Sequence, residues 1–583
     1  MRGDDLVEEL RFGGFAVGDL LALVVAPDIA GVAVAGTAAM VAGRSLGGGA
    51  EAVAALAALE EALRPRWVVW SHATVIPLVA AGLRPARAWD LAAVHRLLFG
   101  GWLADPATIW ATLHALDLGA APVDRPPDLF SQAEGDDDSI DPVRRDGYLR
   151  ADWVGGAWAV TDPRREAWAA LAVRVAGLQT DRLAESFDPH RAEATVRSES
   201  TAELLCAELT VDGLPLQRTA AEAIVAEFIG PRPRSDAEAA TLRDQRDALV
   251  LHHAPAGSRY DLRSPGQVKA LLRGVGIEVP DTRAWRLEQL RDQHPLVEAL
   301  LVWRKAERVA TTYGYGWIDE HVGDDDRLRG DWSGSDGAAG RMTASAGLHN
   351  MPADMRGAVI AEPGHVFVRA DLGQIEPRVL AAVSGDAALA RATQEDDMYV
   401  PVATELGVDR ATAKVAVLGA MYGQTTGHGA TALRGLNSAY PVAMAYLEAA
   451  DRAAQVGQDL RTYGGRLVRM SSSNISDVSD RDARSRAAAR GRYGRNAMVQ
   501  GAAAEFFKVW AVTVRARAAS SGARIVLCLH DELVVHVPIG RGAEVARLLD
   551  ECLQEAVHRW APDRSVRFLA ETTVIGRWSD AKD

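Results

Sequence analysis

The chain has 583 residues, 48% of them hydrophobic and 24% charged, and carries a net charge of −14. Such a composition belongs to an ordinary soluble globular protein, and the length calls for ~3–4 domains or subdomains rather than one core. Only Cys206, Cys528 and Cys552 are present and no CxxC spacing occurs, which argues against a disulfide framework or a structural zinc and fits a reducing cytoplasm. The negative balance is only weak evidence against a nucleic-acid partner, because phosphate binding needs no more than a local basic surface.

The N-terminus, MRGDDLVEELRFGG, carries early acids and lacks the apolar core of a signal peptide. The following stretch, ALVVAPDIAGVAVAGTAAMVAG, is long and apolar, but Pro27 and Asp28 break it. Its alternation suits paired strands better than a membrane span, so no membrane partner is expected. Across residues 1–190, strand candidates LALVVA, GVAVAG and RWVVWS alternate with helical patterns such as AVAALAALEEALR. This predicts a small α/β domain. A polar, acidic stretch at 125–147 reads as a surface loop or insertion. Residues 191–310 read as mostly helical, and beyond about 311 short β segments and Gly-rich turns mix with long helices.

Three stretches of the C-terminal half carry chemistry. In HVFVRADLGQIEPRVLAAVSGD (365–386), a β-run ends at Asp371 just before a helix start. An aspartate there either caps the helix or holds a metal at a cleft. In DRATAKVAVLGAMYGQTTG (409–427), Arg410, Lys414, Leu418 and Tyr422 recur at every fourth residue, along one slowly drifting stripe of a helix. The stripe is either an ordinary amphipathic face with snorkelling cations or a surface for a triphosphate. Lysine is scarce: of 64 basic residues only Lys269, Lys305, Lys414, Lys508 and Lys582 are lysines, so Lys414 is less readily an arbitrary choice. In ARIVLCLHDELVVHVPIG (523–540), His530, Asp531 and Glu532 interrupt two apolar β-runs. They form either a solvated hairpin tip or a catalytic one. Were the strands of Asp371 and Asp531 in one sheet, their carboxylates could hold two divalent ions, the arrangement suited to in-line nucleotidyl transfer. Nine arginines between 461 and 495 add a local basic segment.

The order and spacing of these stretches resemble a family A (DNA polymerase I-like) DNA polymerase. DLGQIEPR is similar to that family's D-x-S-Q-I-E-x-R, RATAKVAVLGAMYG to R-x3-K-x3-F/Y-x3-Y-G, and LHDEL to its H-D-E motif. DLRSPGQV (261–268), GRMTASAGLHNMP (340–352) and RYGRNAMVQGAAAE (492–505) extend the likeness over roughly residues 200–583. The chain departs from the pattern at Leu372–Gly373, where the family has Tyr-Ser, and at Leu418, where it has Phe or Tyr.

The resemblance implies an α+β and α/β multidomain fold: a right-hand polymerase with an antiparallel palm sheet and helical fingers and thumb. A ribonuclease H-like, exonuclease-type α/β domain would precede it. The expected boundaries are 1–190 for that domain and 191–583 for the polymerase. Within the latter, 191–310 would be mainly thumb, 311–385 and 496–583 mainly palm, and 386–495 mainly fingers. Asp371 and Asp531 would bind two Mg²⁺ ions, with Mn²⁺ able to substitute, and Glu532 would be an auxiliary acid. Arg410, Lys414, Leu418, Tyr422, Gln374 and Glu376 would form the deoxynucleoside triphosphate site, Lys414 acting as general acid and Glu376 as steric gate. Arg341, Arg492, Asn496, Gln500 and His530 would contact primer-template DNA, partly through the minor groove, whose shared acceptors allow geometry checking without sequence preference.

In the N-terminal domain the expected D-x-E of an exonuclease is missing, since the first strands offer only Asp28, in a turn. Tyr148 and Asp152 have the spacing of a third exonuclease motif. The expectation is a degenerate, structural domain with no 5′-nuclease domain before it, in a cytoplasmic monomer engaged in repair, gap filling or lesion bypass. The alternatives are residual 3′–5′ exonuclease activity, a single-subunit RNA polymerase, against which Glu376 speaks, and a catalytically silent DNA-binding scaffold.

Overall fold

The computed structural model describes residues 3–36, 43–122, 140–154, 161–255, 259–423, 430–470, 480–562 and 565–581. Most of the acidic stretch at 125–147, and the QTTG that closes the 409–427 motif, lie outside the described residues. The chain divides into two compact units: Met1–Gly213 with Asp331–Ala344 and Gly364–Val574, and Leu214–Gly330 with Ser345–Pro363 and Ile575–Asp583.

The first unit begins with a sheet of β1 (Leu20–Val25), β2 (Val32–Ala35), β3 (Arg44–Gly47), β4 (Arg66–Val69) and β5 (Ala88–Asp90), in the order β3-β2-β1-β4-β5. β1 pairs antiparallel with β2 and parallel with β4. Being central, β1 is apolar on both faces, which is why LLALVV reads as a continuous run rather than an alternation. Leu21, Leu23 and Val25 enter one core and Ala22 and Val24 the other, the latter with Trp70, Trp89, Trp110 and Trp168. Asp90 ends β5 and caps helix α1 (Leu91–Phe99), accepting from the Ala93 amide at 2.9 Å. Helices α2 (Asp162–Ala184) and α3 (Pro189–Asp212) follow.

α3 is buried along most of its length yet carries Glu199, Glu203 and Glu208, each matched to a partner. Glu203 meets His72 at 2.8 Å, and Glu208 accepts from Arg515 at 2.7 Å. Glu199 accepts from the Lys508 ammonium at 2.6 Å and pairs with Arg466 at 2.6 Å. Lys508 also donates to the carbonyls of Gly334 and Gly340, at 3.0 and 2.7 Å, so all three of its N–H bonds are used.

The remainder of this unit is built on a second sheet: β6 (His365–Leu372), β7 (Arg524–Leu529), β8 (Glu532–Pro538) and β9 (Ala570–Ile575), in the order β7-β8-β6-β9. β6 and β8 run antiparallel with Asp371 opposite Glu532. Helix α4 (Ile375–Ser384) continues from β6, α5 is Arg410–Tyr422, α6 is Asp480–Ala518, and α7 (Gly542–Trp560) packs on the sheet. Phe506 of α6, Trp560 of α7 and Phe568 form an aromatic cluster, with Phe506 4.3 Å from Phe568 between ring centroids.

The second unit is mainly helical, with helices Arg218–Ile229, Asp236–Leu251, Pro265–Gly274 and Pro295–Thr312. Val250, Val268, Leu271, Leu272, Leu296, Leu300 and Trp303 form its core. SPGQV starts a helix as its composition predicts, Pro265 standing at the first helical position after Ser264.

The Glu199 cluster yields a stability prediction. Glu199→Ala leaves Lys508 and Arg466 buried without their carboxylate, so it should destabilise the first unit by about 3–5 kcal/mol. The exposed pair Glu193–Arg197, one turn away on the same helix, should change stability by about 0.5 kcal/mol or less when broken. Urea unfolding of the two variants against the parent measures the contrast.

Candidate active site

β6 is held in register by its apolar residues. Phe367, Val368, Ala370 and Leu372 are buried on β6, and Leu533, Val534, Val535 and Val537 on β8. At the end of this pairing the Leu372 amide donates to the Asp531 carbonyl at 3.0 Å. Asp371 and Asp531, 160 residues apart in sequence, therefore sit on neighbouring strand ends. The β7–β8 turn is only His530 and Asp531, with Leu529 paired to Glu532. His530 takes a φ of 54°, a conformation that costs a side-chain-bearing residue roughly 1–2 kcal/mol and for which glycine or asparagine is the usual choice. The hairpin thus accepts local strain at its tip.

Both aspartates hold their protons more firmly than usual. Burial raises the Asp371 carboxyl from 3.8 to about 6, with the like charge of Asp531 next in effect and Arg369 opposing. Burial likewise raises Asp531. Two carboxylates of like charge at the ends of neighbouring inner strands form a donor set suited to divalent cations. Glu532 stands opposite Asp371 on β8. It is buried and accepts from Arg369 Nε at 2.8 Å, while Nη2 of the same guanidinium donates to Asp371 Oδ2 at 2.8 Å.

Gln374, at φ 55°, opens α4. Its amide donates to Asp397 Oδ1 at 2.9 Å, its carbonyl accepts from the Met398 amide at 3.0 Å, and Asp397 in turn holds Arg410. Glu376 accepts from Arg341 at 2.9 Å and from the Tyr422 hydroxyl at 2.8 Å. Burial raises the Tyr422 hydroxyl pKa, Glu376 adds to the rise, and Gln500 opposes it. Along α5, which Asp409 caps through the Thr412 amide, Arg410 and Lys414 are exposed whereas Leu418 and Tyr422 are half-buried. The stripe therefore runs from a cationic, open end to an apolar, sheltered one. Lys414 makes no salt bridge among the described residues.

Gly423 follows Tyr422 at φ 69°, and a Cβ there would lie 2.7 Å from Arg492 Cγ; glycine answers both constraints. Arg492, Asn496 and Gln500 recur at helical spacing on α6. Asn496 Oδ1 is buried without a partner among the described residues, and Arg495 ties α6 to α5 through the Ala420 carbonyl at 3.1 Å. His530 is held neutral to lower pH than usual, first by burial and then by the nearby Arg341 cation. A Cβ on Gly373, where the family pattern has serine, would meet Leu569 Cδ1 at 2.7 Å, so a larger residue would require that side chain to shift.

The structure thus brings together some of the predicted residues: Asp371 lies within the electrostatic reach of Asp531, Glu376 bonds Tyr422 and Arg341, and Gln374 is joined to Arg410 through Asp397. Asp397 and Arg369, which no motif marks, belong to this region, as does Arg378, the last residue of DLGQIEPR. Arg378, fully buried, donates to the carbonyls of Gly373, Thr393, Glu395, Asp396 and Arg567 at 2.6–3.0 Å. The signal for Arg369 was available: an arginine within an apolar β-run, two residues before the aspartate. In the N-terminal region Asp28 lies in a short turn after β1, and Asp152 is paired with Arg164 at 2.9 Å.

The sequence pattern of DNA polymerase family A matches residues 240–580, more than half of the chain. The chain belongs to DNA polymerase family A. Among members of this family, a DNA polymerase I of Deinococcus radiodurans is 27% identical over 373 residues, 57% of this chain and 37% of that protein. A thermostable DNA polymerase I of Thermus aquaticus is 31% identical over 331 residues, 52% of this chain and 38% of that protein. The match spans less than two-fifths of the length of these relatives. A solved structure of the POL domain of Pol1 from M. smegmatis, described as a complex with DNA primer-template and dNTP, superposes with a TM-score of 0.70 at 21% identity, covering 100% of this chain and 99% of that one. That likeness shows the fold, a right-hand polymerase of family A.

The raised Asp371 pKa has a consequence for pH. The folded carboxyl keeps its proton up to about pH 6 instead of 3.8. Its contribution to stability therefore falls as the pH rises through that window, while its charge, and with it the pull on a divalent ion, grows. Mn²⁺ affinity followed by electron paramagnetic resonance should strengthen between about pH 5 and 7 and then level off. An affinity flat across that range would contradict this environment for Asp371.

Proposed function

We propose that this chain is a template-directed, DNA-dependent DNA polymerase that adds deoxynucleotides to a primer 3′-hydroxyl by nucleotidyl transfer, releasing pyrophosphate. The observation that carries the reading is the pairing of β6 with β8, which bonds the Leu372 amide to the Asp531 carbonyl and puts the Asp371 carboxyl under the like charge of Asp531. Family membership and the stripe of α5 support it.

In this reading Asp371 and Asp531 hold two Mg²⁺ ions, with Mn²⁺ as a substitute. Bound there, the ions would lower the pKa of the attacking hydroxyl and stabilise charge on the departing pyrophosphate. Arg410 and Lys414 bind the triphosphate; the exposed Lys414 ammonium is placed to give a proton to the leaving group. Leu418 and Tyr422 cover the sugar and base. Glu376, fixed from two sides by Tyr422 and Arg341, forms a rigid wall that rejects a ribose 2′-hydroxyl. Arg341, Arg492, Asn496, Gln500 and His530 face primer-template DNA, and Glu532 acts as an auxiliary acid beside the metals. The N-terminal α/β region is a degenerate exonuclease-like domain with a bracing role, and the protein works as a cytoplasmic monomer in repair, gap filling or lesion bypass. No described helix is long and apolar enough to cross a membrane.

Mg²⁺-dependent primer extension tests the reading. Asp531→Asn should lower kcat by about 10³-fold or more while primer-template binding is retained; extension that survives would sink the site assignment. With the parent enzyme deoxynucleotides should be strongly preferred over ribonucleotides. Glu376→Ala should reduce that preference by about 10–100-fold in kcat/KM, measured by single-turnover incorporation. Leu418→Phe should shift discrimination among dideoxy and ribose analogues without abolishing extension. Metal-dependent release of nucleotides from a 3′-mismatched primer, lost in Asp152→Ala, would show instead that the N-terminal domain hydrolyses DNA.

A further inference from the structure

β6 presents Arg369 and Asp371 on one face, two residues apart, and β8 sets Glu532 directly opposite Asp371. Arg369 is 7% exposed and divides its guanidinium between two carboxylates. Nε donates to Glu532 Oε1 and Nη2 to Asp371 Oδ2, each at 2.8 Å. Glu532, 5% exposed, is buried against this guanidinium. Asp371 Oδ1 accepts no hydrogen bond among the described residues. The fork therefore engages one oxygen of Asp371 and leaves the other.

We propose that Arg369 is a positioning residue of the metal site: it withdraws Glu532 from the ligand set and orients Asp371, so that Asp371 and Asp531 alone offer carboxylate oxygens to the ions. This rests on the two-metal reading above. Mg²⁺ demands near-octahedral geometry and takes few protein ligands beside its waters and the substrate phosphates. A third carboxylate turned into the site would bind divalent ions more tightly but in the wrong arrangement. A single guanidinium, rigid and always charged, prevents that from the same strand that carries the catalytic aspartate.

The test is Mn²⁺ binding, read by electron paramagnetic resonance on the full chain without DNA or nucleotide. Arg369→Gln should tighten Mn²⁺ on the order of tenfold, as expected when a unit positive charge beside a divalent ion is removed, while kcat for extension falls. The double variant Arg369→Gln/Glu532→Gln removes both charges and should return to within about twofold of the parent affinity. With its neutral, hydrogen-bonding pair it remains informative where the single variant does not fold. A Mn²⁺ affinity unchanged or weakened in Arg369→Gln, with only a lowered melting temperature, makes Arg369 a strut and overturns the proposal. A double variant much weaker than the parent makes Glu532 a ligand and also overturns it. Asp531→Asn separates the two readings: if it binds Mn²⁺ as the parent does, the metal site itself is misassigned. If it binds weakly while Arg369→Gln stays at the parent value, only the role of Arg369 fails.

Discussion

The antiparallel register of β6 against β8 is the constraint on which the rest of the site depends. Side chains of a strand alternate between faces, so a slip of one residue would carry Asp371, Arg369 and their partners to the opposite side of the sheet. Apolar residues on both faces of both strands make that slip costly, because each buried Val or Leu would exchange one packed environment for another of different shape. The polar residues exploit a register that they do not themselves set. Given Asp371 opposite Glu532, the reach of Arg369 to both carboxylates and the closure of the tip over His530 and Asp531 follow from strand geometry.

A second dependence runs outward from Arg378. Its guanidinium is satisfied by five backbone carbonyls drawn from three places in the chain: the β6–α4 corner, the segment 393–396 and Arg567 before β9. Burial lowers its pKa only to about 10, so it stays a cation at neutral pH. No other side chain offers five donors in a rigid plane, and lysine with three would leave carbonyls unpaired. The segment that Arg378 holds leads directly into Asp397, which holds Gln374 on one side and Arg410 on the other. One buried cation thereby fixes the position of an exposed one some 30 residues further along, by way of backbone rather than direct contact.

These two dependences explain what sequence could and could not reveal. LALVVA, GVAVAG and RWVVWS are legible as strands because central strands need apolar residues on both faces, and they correspond to Leu20–Val25, Val32–Ala35 and Arg66–Val69. LHDEL between two apolar runs is legible as a hairpin because nothing else accommodates charges there. The four-residue spacing of Arg410, Lys414, Leu418 and Tyr422 is legible as one helix face. The pairings of Arg369, Asp397 and Arg378 were opaque. Arg369 meets Glu532 on the facing strand, and Asp397 meets Gln374 and Arg410. Arg378, although it closes the DLGQIEPR motif, meets carbonyls as far as 189 residues away. Such pairings are set by tertiary register, and carbonyl partners in particular leave no trace in residue type.

α3 also shows how an α/β region without an evident hydrolytic carboxylate set remains integral to the chain. Glu203 turns toward His72 beside the N-terminal sheet, and Glu199 and Glu208 toward Lys508, Arg466 and Arg515. Lys508 clamps the carbonyls of Gly334 and Gly340, and Gly340 immediately precedes Arg341, the cation that meets Glu376. Removing residues 1–190 would leave Glu203, 2% exposed on α3, without its His72 and Arg96 partners. That loss would fall on a fully buried charged group, where the penalty is largest. The N-terminal sheet is thus joined through Glu203 to the helix whose Glu199 holds Lys508, and Lys508 in turn holds the carbonyl that precedes Arg341.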